Sequence, residues 1–264
     1  MTRLRPAVLI LLLGAAAGCA TNRAVLPSGS GTAFPGFEAV HEEATRGCAA
    51  ARTVVADLGM SGRAGGTRLR GTVTSALGDD GAIRLEGVAF GRAIFILAGQ
   101  GGRATLLLLR EDRVLRNAPP EDIVEALAGV ALTPADLRAA VAGCGLVTGT
   151  PANGRMFTND WAAVDIGSTV TYLRRVDGQW RVGGAVRGGL TLTYDTFADG
   201  LPGAISIRSR SDRGEQVADI RLRVSGLEVN TAIDPKAFAL DVPADADPLT
   251  LEELRRSGPL GDRR

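Results

Sequence analysis

The stretch that decides the fold is residues 83–97, IRLEGVAFGRAIFIL. Apolar residues alternate with polar ones at its start, through Ile83 and Leu85, which is the period of two typical of a β-strand. Gly91 marks a turn, and a nearly continuous apolar run follows from Ala93 to Ala98. The pattern therefore predicts two antiparallel strands joined by a tight turn.

The flanking sequence extends this hairpin into an antiparallel meander. Residues 69–77 alternate between apolar and polar side chains, and Asp80-Gly81 is a strong signal for a hairpin turn. Residues 105–109 form a further apolar run, which residues 99–103 join to the preceding strand. Continuous apolar runs are typical of strands that are covered on both faces.

Helical patterns occur before and after this meander. Residues 37–58 place apolar or small side chains at spacings of three and four, which predicts one long amphipathic helix that ends at Gly59. Pro119-Pro120 opens a short second helix. Residues 133–136, TPAD, open a third, because Thr can cap a helix, Pro suits its first position and Asp favours its positive end.

Strand patterns then return until the C-terminal region. Asp177-Gly178 is a second strong hairpin signal, and Thr250 with Glu253 forms a capping-box pattern for a final short helix. The layout predicts one α+β domain, mainly β, in which a curved antiparallel sheet carries helices on one face. The predicted strands of this half are residues 161–166, 169–176, 179–186, 190–194, 204–208 and 216–229.

The N-terminal residues, MTRLRPAVLILLLGAAAGCA, have the composition of a secretory signal. Two arginines precede a short apolar run, which is too short for a membrane span. Residues 16–19, AAGC, resemble the bacterial lipobox, so we expect residues 1–18 to be removed and Cys19 to carry acyl chains such as palmitate. An ordinary signal peptide with a chance cysteine is the alternative. In the lipoproteins that this pattern resembles, Asp after the Cys favours retention in the inner membrane. Ala20 therefore implies the periplasmic face of the outer membrane as the expected location.

The remaining chain divides into three parts by composition. Residues 19–36 are rich in Gly, Ser and Pro and are interpreted as a flexible tether. Residues 37–242 carry the helix and strand patterns of the folded domain. Residues 243–264 are interpreted as a C-terminal tail with a short helix.

Cysteine usage fits an oxidising compartment. Beyond the signal peptide only Cys48 and Cys144 remain, and two extracytoplasmic thiols favour a disulfide. Two buried free thiols that act as small apolar residues are the alternative.

Composition excludes several classes of function. Thirty basic residues balance 29 acidic ones, which argues against a nucleic-acid partner. The single histidine, His41, rules out a histidine cluster, and we predict neither a metal site nor a cofactor. Residues 99–102, GQGG, do not continue into a phosphate-binding motif, and no serine lies in a nucleophile elbow. The sequence predicts no catalytic residues, and we expect a protein that is not an enzyme.

Several segments resemble the LolA/LolB lipoprotein-carrier family, and LolB in particular. Residues 83–97 resemble the LolB segment around its protruding loop, residues 125–138 resemble its helix pair, and residues 220–223 match its last alternating strand. The lipobox agrees, since LolB is itself a lipoprotein. The resemblance implies an unclosed β-barrel with a lid of helices on its concave face.

The same resemblance implies a membrane-insertion loop at Ala89, Phe90 and Gly91. LolB carries an exposed Leu between Pro and Gly in this loop, whereas here Phe90 follows Ala89. An exposed Phe90 would form a hydrophobic tip, and a Phe90 that packs into the core is the alternative.

The resemblance also implies a hydrophobic cavity for acyl chains. The expected function is an outer-membrane-anchored, chaperone-like lipoprotein that binds acyl chains of lipoproteins or phospholipid and takes part in protein transport to the outer membrane. Its partners would be the inner leaflet of that membrane and a LolA-like periplasmic carrier. A filled core on an assembly scaffold that docks proteins is the alternative. The candidate cavity-lining residues, whose inward face depends on strand register, are Leu69, Val73, Leu85, Ile94, Ile96, Leu106, Leu108, Ile220 and Leu222.

Overall fold

A computed structural model describes residues 23–146, 149–158 and 160–257 of the chain. The predicted signal peptide and Cys19 lie outside these residues. The first half contains a short strand, a helix, six strands and two helices. These elements are β1 (Thr32–Ala33), α1 (Phe37–Ala49), β2 (Val54–Ala64), β3 (Thr67–Leu77), β4 (Ile83–Ala89), β5 (Arg92–Gln100), β6 (Arg103–Leu108), β7 (Arg113–Ala118), α2 (Pro120–Ala128) and α3 (Pro134–Ala142).

The second half consists almost entirely of strands. It ends with a 3₁₀ turn, a two-residue strand and a short helix. Its elements are β8 (Asn153–Thr158), β9 (Trp161–Ile166), β10 (Thr169–Val176), β11 (Gln179–Arg187), β12 (Leu190–Ala198), β13 (Leu201–Arg210), β14 (Gln216–Val229), a 3₁₀ turn (Pro235–Phe238), β15 (Asp247–Pro248) and α4 (Leu251–Ser257).

All the described strands belong to one open sheet. Its order is β1-β8-β9-β10-β11-β12-β13-β14-β2-β3-β4-β5-β6-β7-β15. Neighbours are antiparallel except for β15, which pairs with β7 in parallel. Because β1 and β15 are the edges and do not pair with each other, the sheet is an unclosed barrel. The predicted fold class is confirmed.

Alternation along the strands gives the sheet an apolar inner face. On β2 the side chains of Val54, Ala56 and Leu58 are buried, and the residues between them are more exposed. The helices α2 and α3 pack against this face and join the same core through Ile123 and Val141. The helices therefore cover the concave side of the sheet.

Five hairpins among the described residues use two-residue turns in which both residues have positive φ. Asp177-Gly178 and Asp199-Gly200 adopt this geometry, and so does the sequence-predicted Asp80-Gly81 in a longer loop. Asp and Gly tolerate the left-handed region, and such turns match the right-handed twist of the strands. The predicted turns at Asp80-Gly81 and Asp177-Gly178 are therefore confirmed, whereas the turn at Asp199-Gly200 was not predicted.

The first helix is shorter than its pattern predicted. It ends at Ala49, and residues 54–64, which include the supposed helix end at Gly59, form β2. Val54 and Val55 are β-branched and favour a strand. The spacing of Val54, Ala56 and Leu58 also fits a period of two. The predicted helix over 37–58 was therefore wrong beyond Ala49.

The segment interpreted as a flexible tether is docked where the structure describes it. Arg23 forms an ion pair with Asp219 on β14, and the Ala24 N–H donates to Asp195 at 3.0 Å. Thr32 and Ala33 form β1 against β8. A Gly/Ser/Pro-rich composition missed these contacts because they are made by the backbone and by the charged Arg23.

The C-terminal tail is also part of the fold. Leu249 and Leu254 are buried in the main core, and α4 packs against α2. The Thr250–Glu253 capping box forms as predicted. Among the described residues, no helix combines the length and apolar character that crossing a membrane requires.

A disulfide joins Cys48 at the end of α1 to Cys144 just after α3, with a Cα–Cα distance of 5.5 Å. The predicted disulfide is present, and the free-thiol alternative is excluded. The bond closes a loop across a sequence separation of 96 residues. Because none of the residues of α1 is fully buried, this covalent bond helps to hold the helix in place.

We expect the double variant Cys48→Ser/Cys144→Ser to lose about 2–5 kcal/mol of unfolding free energy, because the unfolded chain regains the freedom of a long loop. Denaturant unfolding measures the change. Treating the wild type with reductant should cause the same loss and leave the variant unaffected. Equal stability of wild type and variant under oxidising conditions would contradict the stabilising role.

Candidate functional site

The centre of the predicted cavity is filled. The sequence-predicted lining residues Leu69, Leu106 and Ile220 are 2%, 0% and 3% exposed and pack with the helices in one core. Leu85, Leu108 and Leu222 belong to the same core. These six side chains do point inward, as expected, but they fill the interior rather than line an open trough.

Ile96 is a correction to the predicted lining. Its strand partners are Glu86 and Leu107, so its side chain lies on the outer face of the sheet. A β-bulge between Gly87 and Val88 inserts Ile94 into the register. Ile94 thereby packs against the core, whereas Ile96 does not. A strict period of two could not reveal this shift.

Open apolar space remains beneath the β4–β5 hairpin, in what we call the tip pocket. This cavity of about 280 Å³ is lined by Val73, Ile94 and Phe95 together with Met60, and Phe90 lies at its rim. The other lining residues are Arg68, Arg70, Gly71, Thr72, Gly87, Val88, Ala89 and Arg110. Two of the predicted lining residues, Val73 and Ile94, thus border open space.

The predicted membrane-insertion loop forms the turn of this hairpin. Phe90 and Gly91 occupy it with φ of 51° and 71°, and the Phe90 side chain is 76% exposed. Every other described non-glycine residue with positive φ is Asp or Asn. An aromatic residue is unfavourable in this conformation, so the turn geometry does not explain Phe90. Its alternative placement in the core is excluded.

A larger space lies under α1, which we call the lid cavity. It has a volume of about 810 Å³ and is bordered by α1, β11, the β12–β13 turn and the end of β14. This volume is in the usual range of small-molecule sites. Its apolar lining includes Trp180, Phe197, Leu201, Leu227 and Val229, and its polar lining includes Glu43, Arg46 and Arg181.

A hydrogen bond and a disulfide attach helix α1 to the rest of the fold beside this cavity. Glu43 accepts a hydrogen bond of 3.0 Å from the Trp180 N–H, and Cys48 is bonded to Cys144. The sequence analysis missed the lid cavity because its lining comes from strand ends that are distant in the chain. The Leu201 side chain, next to a turn, is 37% exposed. Only the structure reveals this exposure.

Helix α3 is fixed at its N-terminus by a buried carboxylate. Thr133 and Asp136 form a reciprocal capping box, and Arg187 on β11 donates two hydrogen bonds to Asp136, at 3.0 and 2.7 Å. Burial raises the pKa of the Asp136 carboxyl, but the hydrogen bonds from Arg187 and Thr133 outweigh it and lower the pKa overall. The ion pair therefore holds α3 against the strand that borders the lid cavity.

The other end of α3 is held by Tyr194 on β12. Its buried hydroxyl donates to the Ala140 carbonyl at 2.7 Å and accepts from the Gly145 N–H at 2.8 Å. Burial raises the pKa of Tyr194, so the phenol stays protonated at physiological pH. Within the described residues, no group of three or more His, Cys, Asp or Glu side chains could hold a metal ion.

The comparisons with known proteins support the architecture. No protein-family model matches the sequence, and no curated protein is significantly similar to it. Among solved structures, a LolA superfamily protein from Nitrosomonas europaea aligns with a TM-score of 0.52 and 11% identity over 80% of this chain and 99% of that chain. The chain has the LolA-type fold. The resemblance seen in the sequence is thereby confirmed at the level of fold.

Two further structures align more weakly. A DUF1329 family protein from Desulfovibrio piger gives a TM-score of 0.47 at 14% identity, covering 76% of this chain and 96% of that one. The lipoprotein LppX from Mycobacterium tuberculosis gives 0.33 at 11% identity, covering 76% and 99%.

Phe90→Asn should keep or slightly raise the stability of this LolA-type fold, because Asn-Gly is the preferred pair for such a turn. The exposed Phe90 ring contributes little to the core, so we expect a change within about 0.5 kcal/mol or a small gain. Thermal unfolding measures it. A large loss of stability would show that Phe90 packs against other residues.

Asp136→Asn should lower the free energy of unfolding by about 2–3 kcal/mol at neutral pH, because Arg187 loses its charged partner. The folded-state pKa of Asp136 lies below its ordinary value of 3.8. Its contribution is therefore fully present above that value and is lost as the pH falls through the lowered pKa. The difference between wild type and variant in denaturant unfolding should shrink at acidic pH. A difference that stays constant with pH would contradict this assignment.

Proposed function

We propose that this protein is an outer-membrane-anchored lipoprotein that binds acyl chains of lipoproteins or phospholipid and helps to localise them to that membrane. Acylation at Cys19 would anchor it, and a LolA-like periplasmic carrier would deliver the cargo. The proposed role is binding rather than catalysis and needs no cofactor. The single observation that carries it is Phe90, an exposed aromatic side chain in a turn whose geometry disfavours it.

The physical reason is that transfer of an exposed aromatic side chain from water into a bilayer is favourable in free energy. Residues that break a local preference without a structural benefit commonly serve function. The Phe90 ring stands at the end of a two-residue hairpin, so the backbone presents it outward. The apolar tip pocket lies directly beneath it. This arrangement supports transfer of an acyl chain at the membrane surface.

Acyl chains themselves would occupy the lid cavity. Trp180, Phe197 and Leu227 give it an apolar lining, and burial of a chain there is favourable by about 25 cal/mol per Å². Arg46 and Arg181 lie at the same cavity and would face the polar end of a lipidated cargo. With a volume of about 810 Å³, the lid cavity is larger than the tip pocket of about 280 Å³.

The second candidate function is a protein-docking scaffold in envelope assembly. The observation that favours it is the filled interior, where seven of the predicted lining residues pack as core. A scaffold would bind no acyl chain in either space. Measuring the lipid content of the purified protein therefore distinguishes the two candidate functions.

We expect Leu201→Glu to weaken binding of a fluorescent fatty acid at least tenfold, because the carboxylate replaces part of the apolar lining of the lid cavity. Val217→Glu is the matched control, since Val217 is 36% exposed, close to the 37% of Leu201, and does not line that cavity. Binding is measured by titrating a truncated protein, which begins at Ala20, with the fluorescent fatty acid. A wild type that takes up no fatty acid, and whose native mass shows no lipid, would favour the scaffold.

A further inference from the structure

The outer face of the sheet carries a further groove, which shares Arg70, Thr72 and Phe90 with the tip pocket. It has a volume of about 1120 Å³ and crosses strands β3, β2 and β14 near the β4–β5 turn. We name it the arginine groove, after Arg70, Arg221 and Arg223 in its lining. Phe90 and Gly91 form part of its rim. The hydrophobic tip therefore borders both this groove and the tip pocket.

Strand register explains why the groove exists. Arg70, Ser61 and Arg221 lie side by side in one cross-strand row, and Thr72, Gly59 and Arg223 form the next. On the central strand β2, Ser61 thus lies between two arginines. Gly59 lies between Thr72 on β3 and Arg223 on β14. Small residues between long ones leave a trough, with guanidinium groups on its sides.

The charge of this face is not balanced internally. Asp219 is paired with Arg23, and Asp195 lies 3.5 Å from Arg221. Arg70 and Arg223 are exposed, and within the described chain neither has a carboxylate partner. Among the described residues that line the groove, three are Arg and none is Asp or Glu. An excess of positive charge in a groove favours an anionic ligand.

The N-terminal segment leads to the same face. Arg23 is held at Asp219 on β14, and the next residue contacts Asp195. Cys19 lies four residues before Arg23, and four residues reach at most about 14 Å. An acylated Cys19 would therefore hold this part of the outer face close to the bilayer surface.

We propose that the outer face of β14, β2 and β3 is the membrane-facing side of the protein, and that the arginine groove binds the anionic headgroups of phospholipids. This inference rests on the proposed membrane role of Phe90. The ring would enter the acyl region while Arg70 and Arg223 contact phosphates beside it. Arginine suits this task because its planar guanidinium matches phosphate geometry.

The test uses the truncated protein that begins at Ala20 and retains every described strand and helix. Its binding to vesicles of phosphatidylcholine, with or without phosphatidylglycerol, is measured by cosedimentation. We expect tighter binding when phosphatidylglycerol is present, and weaker binding as salt is raised. Arg70→Gln/Arg223→Gln should weaken binding to the anionic vesicles by about fivefold per arginine. Ser61→Glu, which places a carboxylate on the groove floor, should have a similar effect.

The matched control is Arg116→Gln/Arg213→Gln, which removes the same charge at exposed arginines that do not line the groove. It should bind anionic vesicles nearly as well as wild type. If it loses as much binding as the groove variant, net charge alone is responsible and the groove proposal is wrong.

Phe90→Ser separates the groove from the function on which it rests. Wild-type binding that needs Phe90 but is the same with both lipids would overturn the groove and leave the membrane-inserting tip intact. Fatty-acid uptake without any vesicle binding would overturn both membrane roles and leave acyl-chain binding standing.

Discussion

Pairing of β2 with β14 is the constraint on which the rest of the structure depends. It joins the meander of β2–β7 to the meander of β8–β14, using residues that lie more than 150 positions apart in the chain. Without it the described strands would form two separate sheets. Such non-local pairing is entropically costly to form, and the Cys48–Cys144 bond lowers the cost by shortening the effective chain between α1 and α3. The concave core, the lid cavity and the arginine groove all lie against strands that this pairing positions.

Polar and apolar interactions divide the work of placing the helices. The core fixes α2 through apolar side chains such as Ile123, whereas α3 is also held by the charged Asp136–Arg187 pair and by the Tyr194 hydroxyl. Helix α1 has no fully buried residue. Its half-buried Phe37, Val40 and Ala44 pack against the core, and its disulfide and the Glu43 contact to the β11 backbone hold it further. Its loose packing is the reason that a cavity exists beneath it. A better packed α1 would stabilise the fold and remove the space that we assign to acyl chains.

How far the sequence predicts the molecule depends on the range of the signal. Turn residues such as Asp177-Gly178 and the Thr133–Asp136 cap act locally, and the elements they mark were predicted correctly. The end of α1 was not, because residues 54–58 fit a helical and a strand period equally well until their pairing with β3 and β14 decides between them. Ile96 was misassigned because one bulge shifts the register. The lid cavity and the arginine groove could not be predicted at all, since each is built from strands that meet only in the folded sheet.

An open sheet keeps an accessible interior, but it also leaves two rows of unpaired backbone amides and carbonyls. Here each row is partly covered by a dipeptide, Thr32–Ala33 on β8 and Asp247–Pro248 on β7. Exposed edges recruit strands from other molecules, and proteins commonly protect them with short strands, charges or proline. Both protecting dipeptides come from segments outside the two central meanders, one near each end of the described chain. The terminal segments thus cover part of both edges of the open sheet, where strands of other molecules could otherwise pair.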